Sequence, residues 1–232
     1  MFFAPGGVLR GDVMKVLAHR GYHALARENT LAAFEAAQRL GVDGIETDVR
    51  LSADGKAVIL HDRVTPAGRV VSSLTHREIE ADCGHAVPLL IEILDAMPSV
   101  FWNLEIKQAE AWPAAAMVIR QFQQSRRILV SSFRHDLVAQ CAAELEVDCA
   151  LLMAVRPLDV APMIAACAEW PRIQGIVWDY GILDAGVVAA VTALGWKNYA
   201  YGAQTTEEHA HCGRLGLSGL ITDYPQRAGV GL

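Results

Sequence analysis

The chemistry-bearing residues of this chain come in short, regular spacings. His19 and Arg20 end the apolar run Val16-Leu17-Ala18, with Gly21 directly behind them. Glu46 and Asp48 lie two apart in GIETDVRL, Glu105 and Lys107 two apart in NLEIK, and His61 closes the run VIL just before Asp62. On an extended strand a spacing of two puts both side chains on one face. Glu46 with Asp48, and Glu105 with Lys107, can therefore point inward together. Three carboxylates in one place repel one another, and burying them unpaired is costly, so something cationic should hold them. A hard divalent ion, Mg²⁺ or Ca²⁺, suits an all-oxygen ligand set better than zinc does. Two histidines flanking a metal-bound anion supply a proton acceptor and a proton donor near neutral pH. Arg20 and Lys107 offer charge to phosphate-like oxygens. Together these residues describe metal-assisted phosphoryl chemistry. The plainer alternative pairs Glu105 with Lys107 or Arg20 in ordinary ion pairs and leaves His61 as a surface or capping residue.

Such groups need a scaffold that brings strand ends together. KVLAH reads as a first short strand, and TLAAFEAAQRLG as a helix that Thr30 can cap and Gly41 can end. GIETDVRL is a strand, and the turn Asp54-Gly55 joins it to a second arm, DGKAVILHD. From Arg63 to Ser99 the rhythm breaks into an insertion plus one barrel helix. Alternation then resumes from VFWNLEIK to GLITDYP. About eight strands separated by helices predict a TIM (β/α)8 barrel: a single domain over 1–232, with a small insertion after the second strand at about 63–99. A doubly wound open sheet is the rival, but no GxGxxG follows the first strand. In a barrel, active-site groups sit at the C-terminal strand ends. His19-Arg20, Glu46/Asp48 and Glu105/Lys107 fall at the ends of three successive barrel strands, with Thr47 and Ile106 turned toward the helices. The hairpin arm could place His61 opposite His19.

The ordered set His19-Arg20-Gly21, Glu28-Asn29-Thr30, Glu46-Thr47-Asp48, Asp54-Gly55, His61-Asp62, Glu105-Ile106-Lys107 and Thr222-Asp223-Tyr224-Pro225 resembles that of the glycerophosphodiester phosphodiesterases, from about residue 15 to 226. The resemblance implies a TIM barrel that hydrolyses glycerophosphodiesters to glycerol 3-phosphate and an alcohol with a divalent metal. By position it implies Glu46, Asp48 and Glu105 as metal ligands, His19 and His61 as general base and acid, and Arg20 and Lys107 as phosphate holders. Arg27 stands where the family usually has proline. Tyr201-Gly202-Ala203-Gln204 replaces the usual Trp-Thr-Val-Asn, with Tyr201 keeping an aromatic wall and Gln204 an amide on the substrate side. The stretch between His61 and Glu105 is shorter than usual, with RVTPAG in place of Arg-Thr-Thr, which implies a more open mouth.

Other residues compete for attention. Glu28 could touch the phosphate region, whereas Asn29 and Thr30 read as helix-start residues. Asp223, with Thr222, reads as bonding the loop at the last strand end. Trp178 and Asp179 could line the pocket or pack. Ser131 and Ser132 have no implied base, so a serine nucleophile is not expected. His23 and His85 fall in loops and His209 and His211 in a helix, where all four read as solvated.

Composition narrows the classes. Lysine and arginine number 20 against 26 acids, a formal charge of −6, which argues against general nucleic-acid binding. Five scattered cysteines form no CxxC pair, so neither a zinc knuckle nor a disulfide framework is expected. MFFAPGGVLRGDVMK does not read as a signal peptide and no run reads as a membrane span, so a cytoplasmic protein is expected. Two rivals keep the barrel. One cleaves lysophospholipid or sphingomyelin in the manner of a phospholipase D and should carry an exposed apolar surface near its mouth. The other binds phosphodiesters without turnover. The leaving alcohol, the choice between Mg²⁺ and Ca²⁺ and the oligomeric state are written in no motif.

Overall fold

The structure, a computed structural model, describes residues 14–230. Most of the N-terminal stretch read for a leader lies outside them. The strands are β1 (Lys15–His19), β2 (Gly44–Leu51), β3 (Ala57–Ile59), β4 (Phe101–Ile106), β5 (Arg127–Ser132), β6 (Asp148–Met153), β7 (Ile173–Asp179), β8 (Lys197–Tyr201) and β9 (Gly219–Thr222). All but β3 pair in parallel, in the order β1-β2-β4-β5-β6-β7-β8-β9, and β9 returns to β1, from Lys15↔Gly219 to Ala18↔Thr222. That closure makes a TIM barrel of eight parallel strands. β3 is the hairpin arm, antiparallel on β2 from Val49↔Ile59 to Leu51↔Ala57.

The helices are α1 (Leu31–Leu40), α2 (His76–Cys83), α3 (Leu90–Ala96), α4 (Trp112–Phe122), α5 (His135–Glu144), α6 (Val160–Ala166), α7 (Ala185–Ala193) and α8 (Thr206–Arg214). Their ends follow local chemistry. Thr30 accepts from the Ala33 amide at the start of α1, and Gly41, at φ 88°, ends it with an N–H to Ala37 and Gln38 carbonyls. The stretch between the hairpin arm and β4 has two parts. α2 covers a small satellite core of Val58, Val71, Leu74, Ile79 and Val87 beside the hairpin arm. α3 buries Leu90, Ile93 and Leu94 in the main core and serves as the barrel helix before β4.

Two apolar layers hold the barrel rigid. Between strands and helices, Phe34 meets Trp102 edge-on with ring centroids 5.3 Å apart. Inside, Leu17, Leu129, Leu152, Val177, Tyr199 and Ile221 fill the lumen, so the interior is packed and is no channel. Trp178 belongs to the outer layer. It is fully buried and its Nε1–H donates to Asn198 Oδ1 at 3.0 Å, so it packs and does not line the mouth. No described helix is long and apolar enough to cross a membrane.

Candidate active site

Barrel register places the site. Closure sets His19 opposite Glu46, and the next pairing sets Asp48 opposite Glu105. Glu46, Asp48 and Glu105 are all buried, and each offers an oxygen within 4.8 Å of the others. Glu46 and Glu105 line a cavity of about 150 Å³ at the C-terminal end of the barrel, with Asp48 fully buried behind them. His19, Arg20, Glu46, His61, Glu105 and Lys107 make its polar wall, and Phe133, Leu152, Tyr201 and Ile221 its apolar one. A larger hollow, about 410 Å³, lies at the opposite end around Lys15, Arg127 and Tyr199 and holds none of these groups.

The carboxylates are only partly neutralised. Lys107 Nζ lies 2.8 Å from Glu105 Oε1 and 3.0 Å from Asp48 Oδ1, and Arg20 Nε lies 3.2 Å from Asp48 Oδ2. The ordinary Glu105–Lys107 ion pair therefore exists, but it does not exhaust the cluster. Asp48 Oδ1 and Arg20 Nε are buried and rest on these ion-pair contacts, with no well-aligned hydrogen bond among the described residues. Among the described residues, Glu46 has only His19 Nε2 within ion-pair reach, at 3.7 Å. Burial, then the charges of Asp48 and Glu105, push the Glu46 carboxyl well above its usual range. Burial raises Glu105 too, and Lys107 offsets only part of that. At Asp48 the balance reverses. Burial works upward, but Lys107, Arg20 and a hydrogen bond from Asn29 outweigh it and lower the carboxyl. Two cations against three buried acids leave surplus negative charge. That surplus and the all-oxygen donor set fit a hard divalent cation.

Both cavity histidines are held at Nδ1. His19 Nδ1 lies 2.7 Å from Asp223 Oδ1, and His61 Nδ1 2.8 Å from Asp62 Oδ1. The hairpin arm carries His61 to the mouth. Leu60 N–H donates to the Asp48 carbonyl at 3.0 Å, and Arg50 Nε–H to the His61 carbonyl at 2.7 Å. An imidazole held at Nδ1 has Nε2 left for the cavity. Tyr201 sits edge-on to Phe133, centroids 6.2 Å apart. Burial and the adjacent Asp179 push its phenol up to about 12, so it stays a neutral donor.

A family model described as the glycerophosphoryl diester phosphodiesterase family matches residues 19–227. The chain belongs to this family. A glycerophosphodiester phosphodiesterase of Bacillus altitudinis is 30% identical over 240 residues, covering 92% of this chain and 96% of that one. The crystal structure of a Thermotoga maritima glycerophosphodiester phosphodiesterase is 25% identical, with TM-score 0.79 over 92% of this chain and 96% of its own. The structure of an Oleispira antarctica phosphodiesterase in complex with the product sn-glycerol 3-phosphate is 24% identical, with TM-score 0.82 over 94% of this chain and 96% of its own. The fold is thus shared with glycerophosphodiester phosphodiesterase barrels, and this chain is a phosphoric diester hydrolase.

Against that background, several of this phosphodiesterase's residues fall elsewhere than their local sequence suggests. Gln204 does not reach the cavity. The chain turns at Gly202 (φ 86°), and the exposed Gln204 amide donates back to the Gly202 carbonyl at 3.5 Å. Glu28 also lies outside the cavity wall, where its Oε1 accepts from Arg20 Nη1 at 2.9 Å. Asn29 is no helix cap. It is 3% exposed at φ 55°, its Nδ2 donates to Asp48 Oδ2 at 2.8 Å, and its Oδ1 accepts from Thr47 Oγ1 at 2.7 Å. Neither His23 nor His209 is simply solvated: His23 Nε2 lies 2.9 Å from Asp223 Oδ1, and His209 is buried against Thr222. Ser131 and Ser132 donate to Asn103 Oδ1 and the Ile106 carbonyl, and neither is poised as a nucleophile. Asn103 and Phe133 line the cavity unforeseen. Asn103 was within reach of the spacing rule, since it lies two residues before Glu105.

Proposed function

We propose that this phosphodiesterase hydrolyses glycerophosphodiesters to glycerol 3-phosphate and an alcohol, with Glu46, Asp48 and Glu105 holding Mg²⁺ or Ca²⁺ and with His19 and His61 moving the protons. The observation that carries this reading is one buried carboxylate trio beside two imidazoles, each held by a carboxylate at Nδ1. A bound divalent ion supplies neutralising charge and polarises the phosphoryl oxygens. Arg20 and Lys107 are already oriented by Glu28, Asp48 and Glu105, so they meet phosphate oxygens without first being ordered. Glu28 then acts on the phosphate through Arg20. Tyr201 and Phe133 form the wall against which the organic part of the substrate packs. One imidazole takes the attacking glycerol hydroxyl's proton at Nε2 and the other gives its Nε2 proton to the leaving alcohol, after which water opens the resulting cyclic phosphate to glycerol 3-phosphate. The glycerol 3-phosphate bound by the Oleispira antarctica relative is the product this reaction would release. Free thiols at all five cysteines suit the cytoplasm.

The test is release of glycerol 3-phosphate from glycerophosphocholine after EDTA treatment and again with added Mg²⁺ or Ca²⁺. Metal-restored release is expected. His19→Ala and His61→Ala should each lower turnover by about 10²–10⁴-fold. Release that survives EDTA, or either variant turning over at the wild-type rate, would count against the corresponding assignment.

A second reading, phospholipase D-like cleavage of a lysophospholipid, is favoured by the rim. Leu25 (75% exposed), Val155 (76%) and a fully exposed Leu158 are the most exposed large apolar residues described. All lie on βα loops at the mouth end: Leu25 after β1, and Val155 and Leu158 after β6, across the barrel from it. Apolar groups on opposite sides of the mouth suit a substrate carrying an acyl chain. Headgroup release from lysophosphatidylcholine that outpaces glycerophosphocholine hydrolysis would select this reading.

A further inference from the structure

The structure assigns to Asp223, braced by His23, the task of setting the tautomer and orientation of His19. The assignment rests on the reading of His19 as a proton carrier. Asp223 follows the last barrel strand, and one of its oxygens receives both imidazoles: His19 Nδ1 at 2.7 Å and His23 Nε2 at 2.9 Å. An ionised carboxylate only accepts hydrogen bonds, so both nitrogens must carry their protons toward it. Burial pushes the Asp223 carboxyl up, but these two imidazoles outweigh burial and hold it well below the usual range. With its proton committed to Nδ1, a neutral His19 presents a bare Nε2 to the cavity, 3.7 Å from Glu46. The opposite tautomer would present an N–H there and could accept no proton from a nucleophile.

Both sides of Asp223 are anchored independently of the cavity. The Tyr224 amide donates to Thr222 Oγ1 at 2.9 Å. That hydroxyl lies 2.7 Å from Nε2 of the buried His209, whose Nδ1 lies 2.6 Å from the Thr205 carbonyl at the start of α8. A carbonyl can only accept, so Nδ1 carries the His209 proton and Nε2 accepts from Thr222. This chain of bonds pins the backbone before and after Asp223 to α8. From the other side, two successive left-handed residues, Arg20 (φ 55°) and Gly21 (φ 83°), fold the loop back so that His23 reaches Asp223, just past β9. Gly21 is needed there, because a Cβ on it would lie 2.7 Å from the Ala33 carbonyl carbon. His23 thus holds the carboxylate that holds His19. It is a positioning residue and does not itself line the cavity.

The first test needs no substrate. Nitrogen NMR of ¹⁵N-histidine-labelled protein, with the His19 signals identified by their loss in His19→Ala, should show the Nδ1–H form of neutral His19 in the wild type. Asp223→Asn, close in shape, should release it toward the Nε2–H form. It should also lower kcat by roughly 100-fold or more with KM changed less than about threefold, the pattern of a lost orienting group. His23→Ala should lower kcat by about 3- to 10-fold, and His23→Gln, which keeps a donor, should recover most of it. A wild-type His19 in the Nε2–H form, an Asp223→Asn spectrum that matches wild type, or a loss confined to KM would overturn the assignment. Full turnover in His19→Ala would instead overturn the reading of His19 as a proton carrier and leave the spectroscopic result standing.

Discussion

Removing the Asn29 side chain should destabilise the barrel and loosen its metal site together. Asn29 Nδ2 donates to the buried carboxylate of Asp48 at 2.8 Å, a charge-assisted bond of about 1.5–3 kcal/mol. Its Oδ1 satisfies the Thr47 hydroxyl, which is fully buried and would be left without a partner at a further cost of about 1–3 kcal/mol. The backbone at Asn29 is left-handed, φ 55°, a conformation that glycine adopts freely and alanine only at about 1 kcal/mol or more. Asn29→Gly should therefore lose about 3 kcal/mol and Asn29→Ala about 4, the difference isolating the backbone. For a chain of this size that is roughly a 6–16 °C drop in Tm. Urea unfolding of EDTA-treated protein reads the stabilities, and calorimetry with Mg²⁺ should show about 10- to 100-fold weaker binding in both variants. If both variants unfold within about 0.5 kcal/mol of wild type, the Asn29–Asp48 bond does not hold the cluster together. Equal losses would remove the backbone contribution alone.

The remaining expectations concern charge, packing and the rim. Gly21→Ala forces a Cβ against the α1 backbone in a left-handed conformation and should cost about 2–4 kcal/mol, read by thermal unfolding; a neutral effect would deny the close approach. Burial and like charge raise the Glu46 carboxyl, so in the window above the ordinary glutamate value the folded metal-free chain binds more protons than the unfolded one. Its contribution is then lost as pH rises through that window, and Glu46→Gln should flatten the slope; an unchanged slope would sink the assignment. Saturating Mg²⁺ or Ca²⁺ should raise the Tm of EDTA-treated protein, by about 2.7 kcal/mol of stability at a hundredfold excess over Kd, and no shift with either ion would argue against the carboxylate cage. Val155→Ser with Leu158→Ser should slow lysophosphatidylcholine turnover and spare glycerophosphocholine, whereas equal effects on both would deny the rim a role in substrate choice.

What the amino-acid sequence determines by itself here is local and periodic. Spacing by two put Glu46 with Asp48, and it extends to Asn103 with Glu105, because a strand's side chains alternate faces whatever lies beside it. Thr30 and Gly41 bound α1 because caps satisfy backbone groups within a turn. The alternation of strands and helices was enough for the barrel, and the ordered motifs were enough for the family.

Tertiary structure decided who meets whom. His19 faces Glu46 only once β1 is closed between β2 and β9. His23 looked solvated because its partner, Asp223, is 200 residues away, and His209 because its Thr222 bond crosses from α8 to the last strand. Asn29 resembled its capping neighbour Thr30 until the left-handed turn sent its amide inward to Asp48. Gln204 stood in the right register for an amide, but the turn at Gly202 carried it to the surface. A polar side chain is stable buried or exposed according to whether a partner waits for it, and for these residues the partner is supplied by barrel closure and loop direction, which no local spacing records.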